Sequence, residues 1–490
     1  VAALLVALLL VAPLSAARDP SGPPERVSPA DGLSHIQPAV AADVNGAVVV
    51  WQGQAGSPPS YEIFARRYNR DGSPLGPAFQ VNESTAGDQR RPAVALLAGG
   101  GFVVAWDSFA PSPAPGEGRQ IYLRRFDAGG APLAGDERAN ARADGGRYAP
   151  ALAAAPAGGF ALAWHGAVSG DDDGVAFRRF DAGGAPLDAA ERLPYGPEAA
   201  SADQSDAALA FDDSGALAIA WESYSYEEAT DKAVYSVAAS RYAASGAALA
   251  TARALATGGD VDAPCDPAVA AGLGGRAVVA WASAGGIYLA RLDAPGGTLT
   301  VSPATAAPRT APAVALDSDG AGLVAWADRA TRSTGRLVGL AARELDPAGT
   351  PVGGELYPGL PAPYTVPAVG AVAVAAAHTA DGPLVVVWQN EEAGASGVVG
   401  SIYLRHYPGA ESLTPLPTPS GTAAAPSETA APTGETPGPT SETAAPASAT
   451  PAPPRETATP TSGTPAPTSH TPATPPPGLA PRVYLPFLPR

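Results

Sequence analysis

Seven recurrences of one short apolar phrase, each ending in tryptophan, predict an all-β chain folded as a seven-bladed β-propeller. The phrases are Val48-Val49-Val50-Trp51, Val103-Val104-Ala105-Trp106, Ala161-Leu162-Ala163-Trp164, Ala218-Ile219-Ala220-Trp221, Val278-Val279-Ala280-Trp281, Leu323-Val324-Ala325-Trp326 and Val385-Val386-Val387-Trp388, 45 to 62 residues apart, and they account for all 7 tryptophans. A unit of that length, built from short strands and repeated, marks one blade per copy. The second observation is a Pro-led apolar run ahead of most Trp phrases, such as Pro92-Ala93-Val94-Ala95 or Pro150-Ala151-Leu152-Ala153. The third is a two-residue periodicity behind them, as in Ile121 to Phe126.

Each blade is predicted to hold four strands. The Pro-led run opens the first, because proline's missing N–H is tolerated at a strand's first residue. Turns such as Asp43-Val44-Asn45-Gly46 and Asp317-Ser318-Asp319-Gly320 follow, rich in residues that accept positive φ. The Trp phrase is the second strand. Its apolar residues do not alternate with polar ones, so both faces must be covered by neighbouring blades. A third strand follows a variable loop: Ile63–Tyr68, Ile121–Phe126, Val175–Phe180, Val237–Tyr242, Ile287–Leu292, Val338–Arg343 and Ile402–Tyr407. A Gly/Pro turn then leads to a weaker fourth strand, such as Ala78–Asn82. The seventh copy has no fourth strand after it. Residues near 25–28 are placed to supply it, closing the ring with an N-terminal strand and removing the exposed edge.

Four segments are expected. Residues 1–17 read as a secretory signal short of its basic leader, 18–410 as the propeller, 411–478 as a disordered Pro/Thr/Ser/Ala-rich stalk, and 479–490 as a short apolar tail. A cell-envelope attachment role for that tail and a meaningless end are equal readings. The expected protein is a monomer, secreted or displayed at a cell surface, with no transmembrane span. A single lysine among 30 basic residues, with the Ala, Gly and Pro excess, suggests a bacterial source. The net charge of −17 without a basic cluster argues against nucleic acid. One cysteine, Cys265, excludes an intramolecular disulfide and reads as incidental rather than reactive.

The chain resembles bacterial exported β-propeller repeat proteins, whose copies read Pro-Ala-Val-Ala, Val-Val-Ala-Trp, Ile-Tyr-x-Arg-Arg-Phe-Asp and Gly-x-Pro-Leu. Copies two and three (Pro92 to Leu133 and Pro150 to Leu187) carry the motif best, and the resemblance spans roughly residues 25–408. It implies the fold and no activity, because propellers host many functions.

No catalytic constellation stands out. Arg67, Arg125, Arg179, Arg241, Arg291 and Arg343, with His406 in the seventh copy, recur once per blade and read as structural bridges. The seven tryptophans read as inter-blade packing rather than sugar platforms. Asp171 and Asp173, like Asp317 and Asp319, offer oxygens for Ca²⁺ but fall short of a full calcium loop, so solvated turns and no cofactor are expected. Long insertions after the Trp strand, Ser108 to Arg119 and Glu222 to Ala233, share one rim, and the second carries Tyr224, Tyr226, Glu227 and Glu228. These favour a non-catalytic module binding protein or carbohydrate. The rival readings are a sialidase-like glycoside hydrolase or lyase in the central channel, and a structural surface-layer component. Clustered acids and arginines at the channel mouth would favour the enzyme.

Overall fold

The structure, a computed structural model, describes residues 24–407 apart from residue 58 and the stretches 110–117, 169–170, 196–201, 228–229, 260–262, 295, 304–308, 317–319, 329–330, 333–334, 337–338, 357–371, 377–383 and 395–396. These residues belong to the first of two units, 1–418; the second, 419–490, lies outside them, as do the expected signal, stalk and tail. Blades are numbered here in the order of their tryptophans, from Trp51 to Trp388.

Seven antiparallel sheets form the blades of a propeller. The Pro-led strands (His35–Asp43, Gln89–Leu96, Arg147–Ala154, Asp203–Phe211, Cys265–Ala271, Arg309–Leu316 and Val372–Ala376) each sit at one sheet edge and touch their counterparts in both neighbouring blades. They are the inner strands and ring the central channel. Blade 3 has three full strands, its outer edge reduced to a bridge between Phe177 and Arg192.

Alternation along the Trp strand explains its unbroken apolar run. Val48 and Val50 pack with Val94, Val104 and Trp106 of blade 2, while Val49 and Trp51 pack with Val385, Val387 and Leu404 of blade 7. The larger cores are thus interfaces between consecutive blades, and a tryptophan is the largest member of each. Trp51 Nε1 donates to His35 Nδ1 at 3.2 Å and Trp106 Nε1 to Gln89 Oε1 at 2.9 Å. In blades 3 and 6 the corresponding inner-strand residues are Arg147 and Arg309, which cannot accept, and Trp164 Nε1 and Trp326 Nε1 have no hydrogen-bond partner.

The ring closes as the sequence leads one to expect. Glu25 and Arg26 pair with Leu404 and Tyr403, so an N-terminal strand is the outer strand of blade 7. Val27 is buried and its N–H donates to Ile402 O at 2.8 Å. Ser28 Oγ accepts from Ile402 N at 3.0 Å. Asn82 accepts equivalently from Ile63 N at 2.7 Å, and Asn140 from Ile121 N at 2.9 Å.

The third-strand arginines fall into two series rather than one. Arg67 donates to the carbonyls of Ala128 and Gly129 in the next blade; Arg179 reaches Ala244 O at 3.0 Å, Arg241 reaches Gly275 O at 2.9 Å and Arg291 reaches Ala348 O at 2.9 Å. Arg125 lies against Gly184 of blade 3, whose φ of +84° and missing Cβ leave room for the guanidinium. The second series points backward. Arg124 donates to Val81 O at 2.9 Å, Arg178 to Ala139 O at 3.1 Å and Arg343 to Val301 O at 2.7 Å, each in the preceding blade. Arg343 therefore belongs with Arg124, not with Arg67. It faces Val324, and Glu344 occupies the Arg67-type position opposite Leu323, because the third strand of blade 6 is Gly339–Leu345, one residue later than its repeat suggests. His406, opposite Val385, keeps the Arg67-type place in blade 7.

Candidate active site at one end of the channel

Six of the inner strands break register at the same point, at or just before the position held by proline in five of them and by Ala207 in the fourth blade. The bulged residue has positive φ in each: Gln37 (53°), Arg91 (52°), Ala149 (48°), Asp206 (46°), Asp266 (52°) and Ala311 (49°). Non-glycine residues rarely hold this conformation unless the surroundings enforce it. Here the freed backbone N–H is taken by the residue after the preceding blade's tryptophan. Gln37 N donates to Gln389 Oε1 (3.0 Å), Arg91 N to Gln52 Oε1 (2.8 Å), Ala149 N to Asp107 Oδ2 (3.3 Å), Asp206 N to His165 Nδ1 (3.4 Å) and Asp266 N to Glu222 Oε1. Ala282 follows Trp281 and has no acceptor to offer. Ala311 N turns instead to Asp266 Oδ2 at 3.0 Å.

This ring of latches gathers charged groups at one end of the channel, across blades 2 to 5. Asp107, fully buried, is gripped by Arg119 at 2.7 Å and by Arg91 Nε at 3.3 Å. The Arg91 guanidinium lies over the Tyr148 ring at 5.5 Å, and that ring is 5.8 Å from His165. Burial, and then the Arg91 charge, push the His165 pKa down to about 4, so the imidazole is neutral at ordinary pH and its Nδ1 can accept the Asp206 amide.

Asp206 and Glu222 form the centre of the cluster. Ser205 faces Glu222 across the strand pair, and the bulge sets Asp206 beside it. Burial pushes Glu222 up to about 8; the Asp206 and Asp266 charges add to this, opposed by the Asp266 N–H and the Ser205 hydroxyl. Burial also raises Asp206, with Arg91 pulling the other way. Yet Asp206 is exposed. A side chain open to solvent but walled by protein on most sides is what a narrow channel mouth produces. Two carboxyls so placed disfavour double ionisation, so the pair keeps a proton to higher pH than an isolated acid would. Burial and the neighbouring acids raise the Cys265 thiol pKa, so Cys265 stays protonated.

The residues singled out from sequence lie differently. Glu222 to Ala233 is no loop: the strands Leu217–Glu227 and Lys232–Tyr242 continue as one hairpin rising from Glu222. Tyr224 packs against Tyr235 across it at 5.1 Å, Tyr226 donates to Asp231, and Glu227 accepts from Thr230 at 3.0 Å. Glu228 lies outside the described residues. Asp171 and Asp173 stand in the strand Asp171–Phe180 instead of a turn, while Asp317 and Asp319 lie outside the described residues. Among the described residues no three acidic, His or Cys side chains are grouped to hold a metal ion, and no helix is long and apolar enough to cross a membrane. A hollow of about 400 Å³ between blades 3 and 4, lined by Phe160, Phe180, Leu187 and Phe211, opens at the opposite strand ends. Arg179 at its wall is already paired with Asp188 at 2.9 Å.

No protein-family model and no curated protein matches the chain. Solved structures resemble it over most of its length. A protein of unknown function from Dyadobacter fermentans is 12% identical, with 78% of this chain and 97% of that one covered and a TM-score of 0.46. An ulvan lyase from a new family of polysaccharide lyases is 11% identical (76% and 94% covered, TM-score 0.48). The α-L-arabinanase of Penicillium chrysogenum, complexed with arabinobiose, is 12% identical (67% and 99% covered, TM-score 0.43). At such identities the likeness is one of fold. The non-catalytic binding module expected from sequence is corrected on this chain's own geometry: the channel mouth gathers Asp206, Glu222 and Arg91, the cluster of acids and arginines that the sequence reading tied to its enzyme alternative.

Proposed function

We propose that the protein is a glycan-cleaving enzyme, a glycoside hydrolase working at the channel mouth. The Asp206–Glu222 pair carries this reading. Glycosidic bonds break most readily when one carboxylic acid protonates the leaving oxygen and a second carboxylate, ionised, serves the anomeric carbon or a water. Glu222, its pKa pushed up to about 8 by burial, suits the acid; Asp206, raised by burial and drawn back by the Arg91 charge, is the partner carboxyl. Tyr224, two residues along the same strand from Glu222, supplies an aromatic ring beside the pair for a sugar. Export by the N-terminal apolar segment, and display on the Pro/Thr stretch, would bring the site to extracellular polysaccharide.

The test is release of reducing ends from a polysaccharide panel by the full chain and by Glu222→Gln. Cleavage that falls about 10²-fold or more in the variant supports the assignment. Undiminished cleavage by Glu222→Gln sinks it, and an unsaturated product with new ultraviolet absorbance would turn the chemistry to elimination.

A further inference from the structure

Arg91 differs from the other arginines of the ring. Those bridge blades through backbone carbonyls, whereas Arg91 stands on a strained bulge of the innermost strand at the channel mouth. Only its Nε is turned to Asp107; no described residue is bonded to its Nη1 or Nη2. Its side chain is 35% exposed, against 14% for Arg119. Because Arg119 already pairs with Asp107 at 2.7 Å, Asp107 does not take up the Arg91 charge alone, and that charge reaches out to Asp206 at the mouth. Tyr148 beneath the guanidinium fixes its plane. Two parallel N–H groups on an oriented plane match the paired oxygens of a carboxylate or sulfate, whereas a neutral hydroxyl uses only one of them.

We infer that the glycan cleaved here is acidic, and that Arg91 selects it by pairing with a sugar carboxylate or sulfate ester. The inference rests on the Asp206–Glu222 pair being the cleavage site. The chain's net charge of −17 does not oppose it strongly. At physiological salt, charges beyond about 8 Å are largely screened, so the guanidinium at the mouth outweighs acids spread over the rest of the surface.

The experiment compares polygalacturonate with its methyl ester, and a sulfated galactan with its desulfated form, using the full chain, Arg91→Gln and Arg91→Lys. Turnover is read as kcat/KM, and binding by calorimetry on Glu222→Gln, which separates selection from chemistry. An acid over neutral preference of about ten- to hundred-fold is expected, the size of one charge-assisted pair. It should vanish in Arg91→Gln and return in part in Arg91→Lys. The carboxylate and sulfate arms show which anion is read. Equal binding of acidic and neutral forms, or a preference that survives Arg91→Gln, overturns the inference even if cleavage stands. Loss of cleavage dependence on Glu222 with the binding preference intact would instead sink the catalytic reading alone. Arg91→Gln should fold, since Asp107 keeps Arg119, and its melting curve checks this.

Discussion

Substituting Val27 and Ser28 tests whether one short N-terminal strand holds the ring shut. Both substitutions leave the backbone of the strand ordered, so the entropy of fixing it is the same in variant and parent. Val27 is 2% exposed in the core shared by blades 7 and 1. Val27→Ala removes two buried carbon groups and leaves a small cavity, a loss of about 2 kcal/mol. Ser28, 4% exposed, accepts the Ile402 N–H at 3.0 Å. Ser28→Ala strands that buried donor at a cost of about 1–3 kcal/mol. Adjacent residues do not add perfectly, so about 3–5 kcal/mol is an upper range for the pair. Urea unfolding followed by tryptophan fluorescence should show a midpoint lower by about 1 M at unchanged slope. Leu187→Ala, at a side chain 59% exposed, is the control and should stay within about 0.5 kcal/mol of the parent. If the double variant unfolds where the parent does, the terminal strand is not the clasp, and the account of ring closure fails.

Two further predictions follow from the interior. Glu222 has its pKa raised from 4.5 to about 8, so the folded state binds a proton that the unfolded state releases. Its favourable contribution is complete below pH 4.5 and is lost as pH rises through about 8. Stability should therefore fall across that window with a slope of up to about 1.4 kcal/mol per pH unit, and Glu222→Gln should flatten it; the same slope in the variant would contradict the assignment. Trp106 donates to Gln89, whereas Trp326 Nε1 has no partner. Trp106→Phe should cost about 1–3 kcal/mol more than Trp326→Phe in chemical unfolding, because only the first leaves a buried acceptor unpaired.

Much of the fold was legible because it depends on local pattern. An unbroken apolar run before Trp needs cover on two faces, and only a strand between neighbouring blades provides it. Val27-Ser28 repeats Val81-Asn82 in both the buried side chain and the latch, which is why the closing strand could be placed from residue order. The arginine of blade 6 was misplaced for the opposite reason: Arg343 and Glu344 differ by one residue, and in a strand one residue changes the face.

The active-site reading had a signal in the chain that position alone did not reveal. The residue after five of the seven tryptophans (Gln52, Asp107, His165, Glu222, Gln389) is polar where the strand before it is apolar, and the residues that open the inner-strand apolar runs are preceded by Arg91, Asp206 and Asp266 among others. What by itself the amino-acid order determined was the number of blades, their inner, middle and outer strands, and the closing of the circle, since each rests on the periodicity of neighbouring side chains. Only the tertiary structure decided that Arg91, His165, Asp206 and Glu222 meet. They come from three blades, and it is the circular stacking of blades, with a bulge at one height in each inner strand, that turns residues far apart in the chain into one charged rim, where burial shifts their protons.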